Sequence, residues 1–401
     1  MKCWLLMLVF CIVGVVFGQP GPEIEWTYTY GGSGKDGAHC VRQTSDGGYI
    51  LAGMTGSFPV KENRFYLVKT NAVGDTIWTK TYRSGEGIDV GNLECGMFCT
   101  VRSVQQTRDG GYIMAGHFST NKEDDDTYIM KTDSAGSIQW TRSHHVRGLD
   151  QCQEVQQTDD GGYIVAVSAH PMGVSDGDFY LVRLDGDGKP QWKRAYDNNG
   201  YEFIYSVQQI SDGGFIMAGS TQPFSSNVFE PEDKDILLVR ANSVGDTVWS
   251  RTYNVGEYEY ARSVRQTGEG DFVVVGCTSL PGDEKSDIVL LRVNAEGKLR
   301  WTRTYGGEGN DMGASVCVVS GGKYVICGTT DSYGSGHDDV YVIGVDMLGT
   351  VSWEKVIGGE RFDSGHCIQE TKDGGFVVAG ITSSFGAGDW DMYLIKLGSV
   401  K

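Results

Sequence analysis

The sequence predicts an all-β fold: a seven-bladed β-propeller with four antiparallel strands per blade, the last blade closed by the N-terminal strand. Three observations carry this. Tryptophan recurs at Trp26, Trp78, Trp140, Trp192, Trp249, Trp301 and Trp353, at intervals of 52, 62, 52, 57, 52 and 52 residues. A fixed period of this size marks a repeat architecture. Each period holds four segments in which Val, Ile, Tyr and Thr alternate with polar residues, the two-residue rhythm of half-buried strands. The chain also begins and ends on incomplete units that complete one another.

Taken in order, residues 1–18 read as a secretory signal. Lys2 supplies the positive start, Trp4 to Phe17 is nearly unbroken apolar, and Val16-Phe17-Gly18 offers a small-residue cleavage site. The run is short for a stable membrane span, although a retained anchor helix is the alternative. Residues 19–401 then form one propeller, secreted and extracellular, with no transmembrane segment expected in the mature chain.

A repeat opens with a strand such as Ala261–Thr267. An Asp-Gly-Gly turn follows at Asp46, Asp109, Asp160, Asp212 and Asp373. Asp-Gly and Gly-Gly supply the positive φ of short hairpins. The second strand reads GYIMAG or GFVVAG, and the third reads DFYLVRLD or DIVLLRVN after a longer loop. The fourth carries the tryptophan, as in DTIWTKTY. The tight turns place the first strand innermost and the fourth outermost. The two long intervals reflect insertions at Gly85–Met97 and Gln222–Glu232. Glu25–Tyr30 is a fourth strand without a blade, and Met392–Leu397 a third strand without its partner. Blade 7 is therefore composite, from about 24–30 and 364–397. Closure of this kind leaves only short edges.

The formal charge of −18 argues against nucleic acid and anionic membranes as partners. Ten cysteines are present, of which eight lie beyond the signal. An even number in an oxidising compartment permits disulfides without giving their connectivity. Cys40 and Cys367 occupy equivalent positions in blades 1 and 7, where a bridge would staple the closure. Cys95, Cys99 and Cys152 cluster near the first insertion. Cys277 and Cys327 are a pair or two buried thiols. There is no N-x-S/T sequon.

Most repeated residues read as structural. The tryptophans pack between blades. Gln43, Gln106, Gln157, Gln209 and Gln266 hydrogen-bond neighbouring strands or loops. Asp178, Asp235, Asp287, Asp339 and Asp391, before the third strand, satisfy nearby backbone N–H groups. A second acidic position, eight residues before the end of the first strand, holds Asp36, Cys99, Asp150, Glu202, Glu259, Asp311 and Asp363. It reads either as a repeated loop cap or as a ring near one channel mouth that attracts a cation. Calcium takes six to eight oxygens, which carboxylates spread round a ring share poorly.

Departures from the repeat mark candidate sites. His39 and His366 are equivalent and adjacent across the closure, where the other blades carry Arg102, Gln153, Tyr205, Arg262 and Ala314. With Asp36 and Asp363 they form a candidate zinc or catalytic set, or they are plain polar strand residues. Calcium and zinc are the two metals considered. Binding candidates are His39, His366, Asp36, Glu202, Glu259, Asp311 and Asp363; no catalytic residue is assigned.

The strings DGGYILAGMT, DGGYIMAGHF, DGGFIMAGST and DGGFVVAGIT, with the D-x-Y-L-V-K and W-x-K-T-Y-G-G elements, resemble a group of secreted bacterial and archaeal propeller-repeat proteins. The resemblance spans nearly all of the mature chain. It implies a secreted or surface-associated propeller and no particular reaction. The first insertion and the cysteine content depart from it.

A propeller is a scaffold, so function is argued from its sites. The leading expectation is a binding or structural protein for a carbohydrate, a matrix component or an extracellular protein, using the variable loops and aromatics such as Phe58, Phe224 and Phe229. The alternative is a hydrolase or lyase at the channel mouth, with or without a metal. Neither a G-x-S-x-G elbow nor an H-E-x-x-H motif is present.

Overall fold

The computed structural model describes residues 21–57, 64–82, 95–120, 125–144, 149–170, 178–198, 200–223, 234–279 and 285–400. Residues 1–18, expected above to be a secretory signal, and the loop aromatics Phe58, Phe224 and Phe229 lie outside them.

Among the described residues, seven four-stranded antiparallel sheets stand around one axis. Blade 1 runs Asp36–Gln43, Tyr49–Thr55, Arg64–Thr70 and Thr76–Tyr82 from inside to outside. Blades 2 to 6 repeat this order. Blade 7 is Asp363–Glu370, Phe376–Thr382 and Asp391–Leu397, with the N-terminal strand Ile24–Tyr30 as its outer edge. That strand pairs with Asp391–Leu397 from Ile24 opposite Leu397 to Tyr30 opposite Met392.

The repeat residues hold blade to blade. Each tryptophan packs across its blade boundary on the aromatic that starts the next blade's second strand. Trp26 meets Tyr49 at 5.8 Å between ring centroids, Trp78 meets Tyr112 at 5.9 Å, and Trp353 meets Phe376 at 6.2 Å. Such tilted or edge-on pairs add about 0.5–1.5 kcal/mol beyond area burial. The outer-strand tyrosines hydrogen-bond the next blade's last turn: Tyr30 to the Gly74 carbonyl at 2.6 Å and Tyr253 to Gly297 at 2.6 Å. The glutamines reach across the blade boundary. Gln106 accepts from the Ser45 N–H at 2.7 Å and Gln43 from Lys372 N–H at 2.9 Å. In the Asp-Gly-Gly turns, the aspartate takes a basic side chain from the third strand, as Asp46 does Lys69 at 2.9 Å.

Every inner strand carries a β-bulge at one depth. The extra residue is His39, Arg102, Gln153, Tyr205, Arg262, Ala314 or His366. A bulge leaves its extra residue out of the ladder and re-aims its side chain, here into the channel. In six blades the facing residue on the second strand is glycine, whose Cβ would collide with an inner-strand carbonyl, as Gly53 would with Gly37. Blade 3 has Val167 there.

Cys99 is disulfide-bonded, and its partner lies outside the described side chains. Cys40, Cys152, Cys277, Cys317, Cys327 and Cys367 are free. Cys40 and Cys367 thus meet across the closure as thiols rather than as a bridge. The Cys40 thiol and the Arg42 guanidinium, 3.0 Å from the sulfur, hold Cys367 below the ordinary thiol range.

Deleting residues 24–30 should lower the denaturation midpoint and produce soluble aggregates by size-exclusion chromatography, because the Asp391–Leu397 edge is then bare. Trp353→Ala, at a site 5% exposed, should cost about 3–5 kcal/mol in chemical denaturation.

Candidate functional site at the channel mouth

The inner strands begin on the face that also carries the longer connections. Along them, side chains alternate between blade interior and channel. In blade 4, Glu202, Ile204 and Ser206 are buried while Tyr201, Phe203 and Tyr205 face the opening. Blade 5 adds Tyr258, Tyr260 and Arg262. The result is an aromatic wall: Tyr201 stacks on Phe203 at 6.2 Å, and Tyr205 meets Tyr260 at 6.1 Å. Cations sit on it. Lys234 Nζ lies 4.7 Å from the Phe203 ring centre and 5.3 Å from that of Tyr258. Arg262 lies 4.9 Å from the Tyr205 ring and 5.0 Å from Tyr260. Burial, with Arg262 nearby, pulls Lys234 down to about 8. On the opposite rim, Lys35 lies 4.7 Å from the Trp390 ring, and Phe362 stacks on Trp390 at 6.1 Å.

Deeper in, the bulge residues form a ring. His39 and His366 stack at 5.3 Å with planes 11° apart. His366 Nδ1 lies 2.9 Å from the Ala38 carbonyl. That contact makes Nδ1 the donor and leaves Nε2 with its lone pair. Burial pulls His366 down to about 4, Arg102 and Arg262 adding to it against the Ala38 hydrogen bond. Burial also holds His39 well below its ordinary value, as do Arg102, His366, His117 and Arg262. Both imidazoles are therefore neutral at neutral pH. The ring encloses a cavity of about 90 Å³. Below it, Arg42, Gln105, Gln156, Gln208, Arg265 and Gln369 line a cavity of about 410 Å³. Glu154 there is engaged by Ser206 Oγ at 2.8 Å, Val207 N at 2.9 Å and Arg265 at 3.4 Å.

The structure brings the two histidines together and places the carboxylates elsewhere. Asp36, Glu202, Glu259, Asp311 and Asp363 are all fully buried, at the blade boundaries. Asp36 Oδ2 accepts from Gly32 N–H at 2.8 Å and from the Ser57 hydroxyl. Asp311 accepts from Gly307 N–H at 2.9 Å and Ser332 Oγ at 2.5 Å, and Asp363 from Gly359 N–H at 2.8 Å and Ser384 Oγ at 2.6 Å. Glu202 accepts from Thr221 Oγ1 at 2.8 Å and Glu259 from Thr278 Oγ1 at 3.4 Å. Burial raises both glutamates to about 7. The four-residue set His39, His366, Asp36 and Asp363 is thus not one ligand sphere.

A different acidic group fits a metal. Asp178, Asp197 and Glu202 each bring a carboxylate oxygen within 4.8 Å of the others. Three oxygens suit calcium better than zinc, which favours nitrogen and sulfur.

No family model matches the chain, and no curated protein matches it. Solved structures do. A protein of unknown function from Dyadobacter fermentans DSM 18053 is 12% identical with TM-score 0.54, covering 95% of this chain and 100% of that one. A polysaccharide lyase described as a PL25 ulvan lyase is 9% identical with TM-score 0.60, covering 93% and 97%. The polysaccharide lyase Uly1 is 11% identical with TM-score 0.51, covering 92% and 90%. They share the propeller fold. At these identities the likeness extends to the fold alone.

The aromatic and cationic wall escaped the sequence reading. Its signal was the set of residues that replace histidine at the bulge, Arg102, Tyr205 and Arg262, with the aromatics two and four residues before Tyr205 and Arg262.

A histidine with a lowered folded pKa binds its proton in the unfolded chain first. Stability is then present above the unfolded value near 6.5 and lost as pH falls toward 4. His366→Gln should flatten the acid side of the stability profile between pH 6.5 and 4, measured by denaturant midpoints at each pH.

Proposed function

We propose that this chain is an exported, carbohydrate-acting propeller that binds an anionic polysaccharide at the channel mouth and cleaves it as a lyase. The observation that carries the reading is the convergence of an aromatic wall, Arg102 and Arg262, and two neutral histidines on one opening, a local cationic cluster that draws a carboxylate despite the chain's net charge of −18. Aromatic faces stack on sugar rings, and a guanidinium matches a carboxylate in two-pronged geometry. Elimination next to a sugar carboxylate needs that carboxylate neutralised, a base for the proton on the adjacent carbon, and an acid for the departing oxygen. Arg102 and Arg262 serve the first need. The free Nε2 of His366 or a nitrogen of His39 serves the second. Tyr205, whose phenol is held in its protonated form chiefly by burial, serves the third. One proton leaves carbon, one reaches the leaving oxygen, and no water is consumed.

Hydrolysis is the less suited chemistry. Glycosidases use two carboxylates about 5–10 Å apart across the bond, and Glu154 is already committed to Ser206, Val207 and Arg265. Support from outside the chain is the likeness to two polysaccharide lyases, which share the fold. A second reading, binding without chemistry, is favoured by the roughly 90 Å³ at the histidine ring. That is below the 300–1,000 Å³ of common small-molecule pockets. In that reading the wall and the Lys35–Trp390 rim hold the glycan and the ring is plain lining.

The test is a panel of uronate-containing and neutral polysaccharides, followed by ultraviolet absorbance of the unsaturated product and by chain-length analysis. The expected result is cleavage confined to uronate polymers, reduced at least 100-fold by His366→Gln or Arg262→Ala. Binding with no new chain ends selects the second reading. Neither binding nor cleavage by the folded protein rejects both.

A further inference from the structure

The channel holds a second chamber, at the mouth opposite the aromatic wall. There the inner strands run out toward their hairpin turns, and Arg42, Gln105, Gln156, Gln208, Arg265 and Gln369 line a cavity of about 410 Å³. That volume falls in the range of roughly 300–1,000 Å³ common to small-molecule sites. All six side chains are half-buried. None of them takes part in the chemistry assigned to the histidines.

Two rows of glutamine differ in what they leave free. Gln43, Gln106, Gln157 and Gln209 donate from Nε2 to a carbonyl of their own turn, as Gln43 does to Gly47 at 3.2 Å and Gln157 to Gly161 at 3.3 Å. Gln105, Gln156, Gln208 and Gln369, one residue earlier in the repeat, instead accept at Oε1 from the next blade. Their donors are Gln157 N–H at 2.6 Å, Gln209 N–H at 2.7 Å, Gln266 N–H at 2.6 Å and Gln43 N–H at 2.7 Å. A backbone N–H can be met only by the amide oxygen, which fixes the way round each carboxamide sits. Four NH2 groups are left on the chamber wall, and among the described residues none has a protein acceptor. Arg42 commits only Nη1, to the Val41 carbonyl at 2.8 Å and the Cys367 sulfur at 3.0 Å. Free donors converging on one ligand-sized space call for acceptor oxygens.

The fixed charges of the wall are largely spent. Arg265 donates to Glu154 at 3.4 Å, and Arg42 faces the Cys367 sulfur, itself held below the ordinary thiol range. Burial, with Glu370 adding to it, pushes the Cys317 thiol up to about 12, so Cys317 brings no charge from blade 6. Glu370 stands where five other blades carry glutamine. It lines the chamber and, among the described residues, has no ion partner. One unpaired carboxylate disfavours an anion, and a ring of N–H donors disfavours a cation. A hydroxyl donates and accepts at once. It can take a hydrogen bond from an amide and give one to Glu370.

We propose that this chamber binds a small neutral polyhydroxylated molecule, a mono- or disaccharide, held by the Nε2 groups of Gln105, Gln156, Gln208 and Gln369 and by the Glu370 carboxylate. Blade 6 breaks the ring's symmetry with Cys317 and Val318. One sector of the wall then lacks these amides, which gives the bound sugar a single orientation.

The test titrates the purified full chain with glucose, galactose, mannose, maltose and lactose, and with glucuronate and glucosamine as charged counterparts. Calorimetry gives affinity, and nitrogen-15 NMR follows the side-chain amides. At least one neutral sugar should bind at one equivalent, more tightly than either charged counterpart, and should shift the NH2 signals of Gln105, Gln156, Gln208 and Gln369. Gln156→Glu and Gln208→Glu keep the oxygen that receives the next strand and remove only the NH2. Each should weaken sugar binding about tenfold, the scale of one or two hydrogen bonds. Each should leave the denaturation midpoint, and the binding of uronate polymers at the opposite mouth, unchanged. A wild-type protein that binds none of the neutral sugars overturns the proposal. So does sugar binding that both folded variants keep at wild-type strength, and so does tighter binding of glucuronate or glucosamine than of every neutral sugar. The amide shifts are read on the unaltered protein, so a sugar that binds without moving them also overturns it, even where a variant fails to fold.

Discussion

Closure of the ring by Ile24–Tyr30 against Asp391–Leu397 is the constraint on which the rest depends. Six blades pack on their neighbours whether or not the ring is shut. Only the seventh needs residues from opposite ends of the chain. The bond network at that seam places His39 against His366, Cys40 against Cys367, Lys35 against Trp390 and Asp36 against Asp391. A chain that failed to close would keep most of its hydrophobic core and lose one side of the channel. Closure also exchanges two bare strand edges for one ladder, which removes the commonest route by which β-sheet proteins associate.

The fold was legible because each repeat states the same physical needs. Tryptophan at a fixed period marks the aromatic contact to the next blade, Asp-Gly-Gly marks the hairpin, and the partial units at the ends mark the seam. The glycine of the AG dipeptide was visible as a pattern before its reason was. The reason is the bulge opposite it, which pushes an inner-strand carbonyl toward the place a Cβ would take. Disulfide pairing was less legible, since equivalent positions in neighbouring blades say nothing of sulfur geometry, and Cys40 and Cys367 stand as thiols.

The site was legible only in part. Equivalence of His39 and His366 in the repeat announced a pair, and the structure stacks them. The repeated carboxylates announced a ring at the mouth, yet they lie behind the inner strands, where they hold loop N–H groups. Counting along a repeat gives depth within the blade but not which face a side chain takes, and one bulged residue reverses that face. Asp36 and His39 are three residues apart on one strand and serve different surfaces. The wall of Tyr201, Phe203, Tyr205, Tyr258 and Tyr260 belongs to two blades, 57 residues apart in the repeat, whose aromatics are neighbours only once blade 4 packs on blade 5.

The seven bulges have a consequence for how such a protein changes over time. Each presents a single side chain at one depth of the channel while standing outside the ladder's pairing. Replacing that residue leaves the register of the blade and the packing between blades as they were. The channel is thus seven addressable positions on a scaffold that is indifferent to what fills them, currently two histidines, two arginines, a glutamine, a tyrosine and an alanine. Ligand preference can drift one position at a time at nearly constant stability, which is also how a library for altered specificity would be drawn.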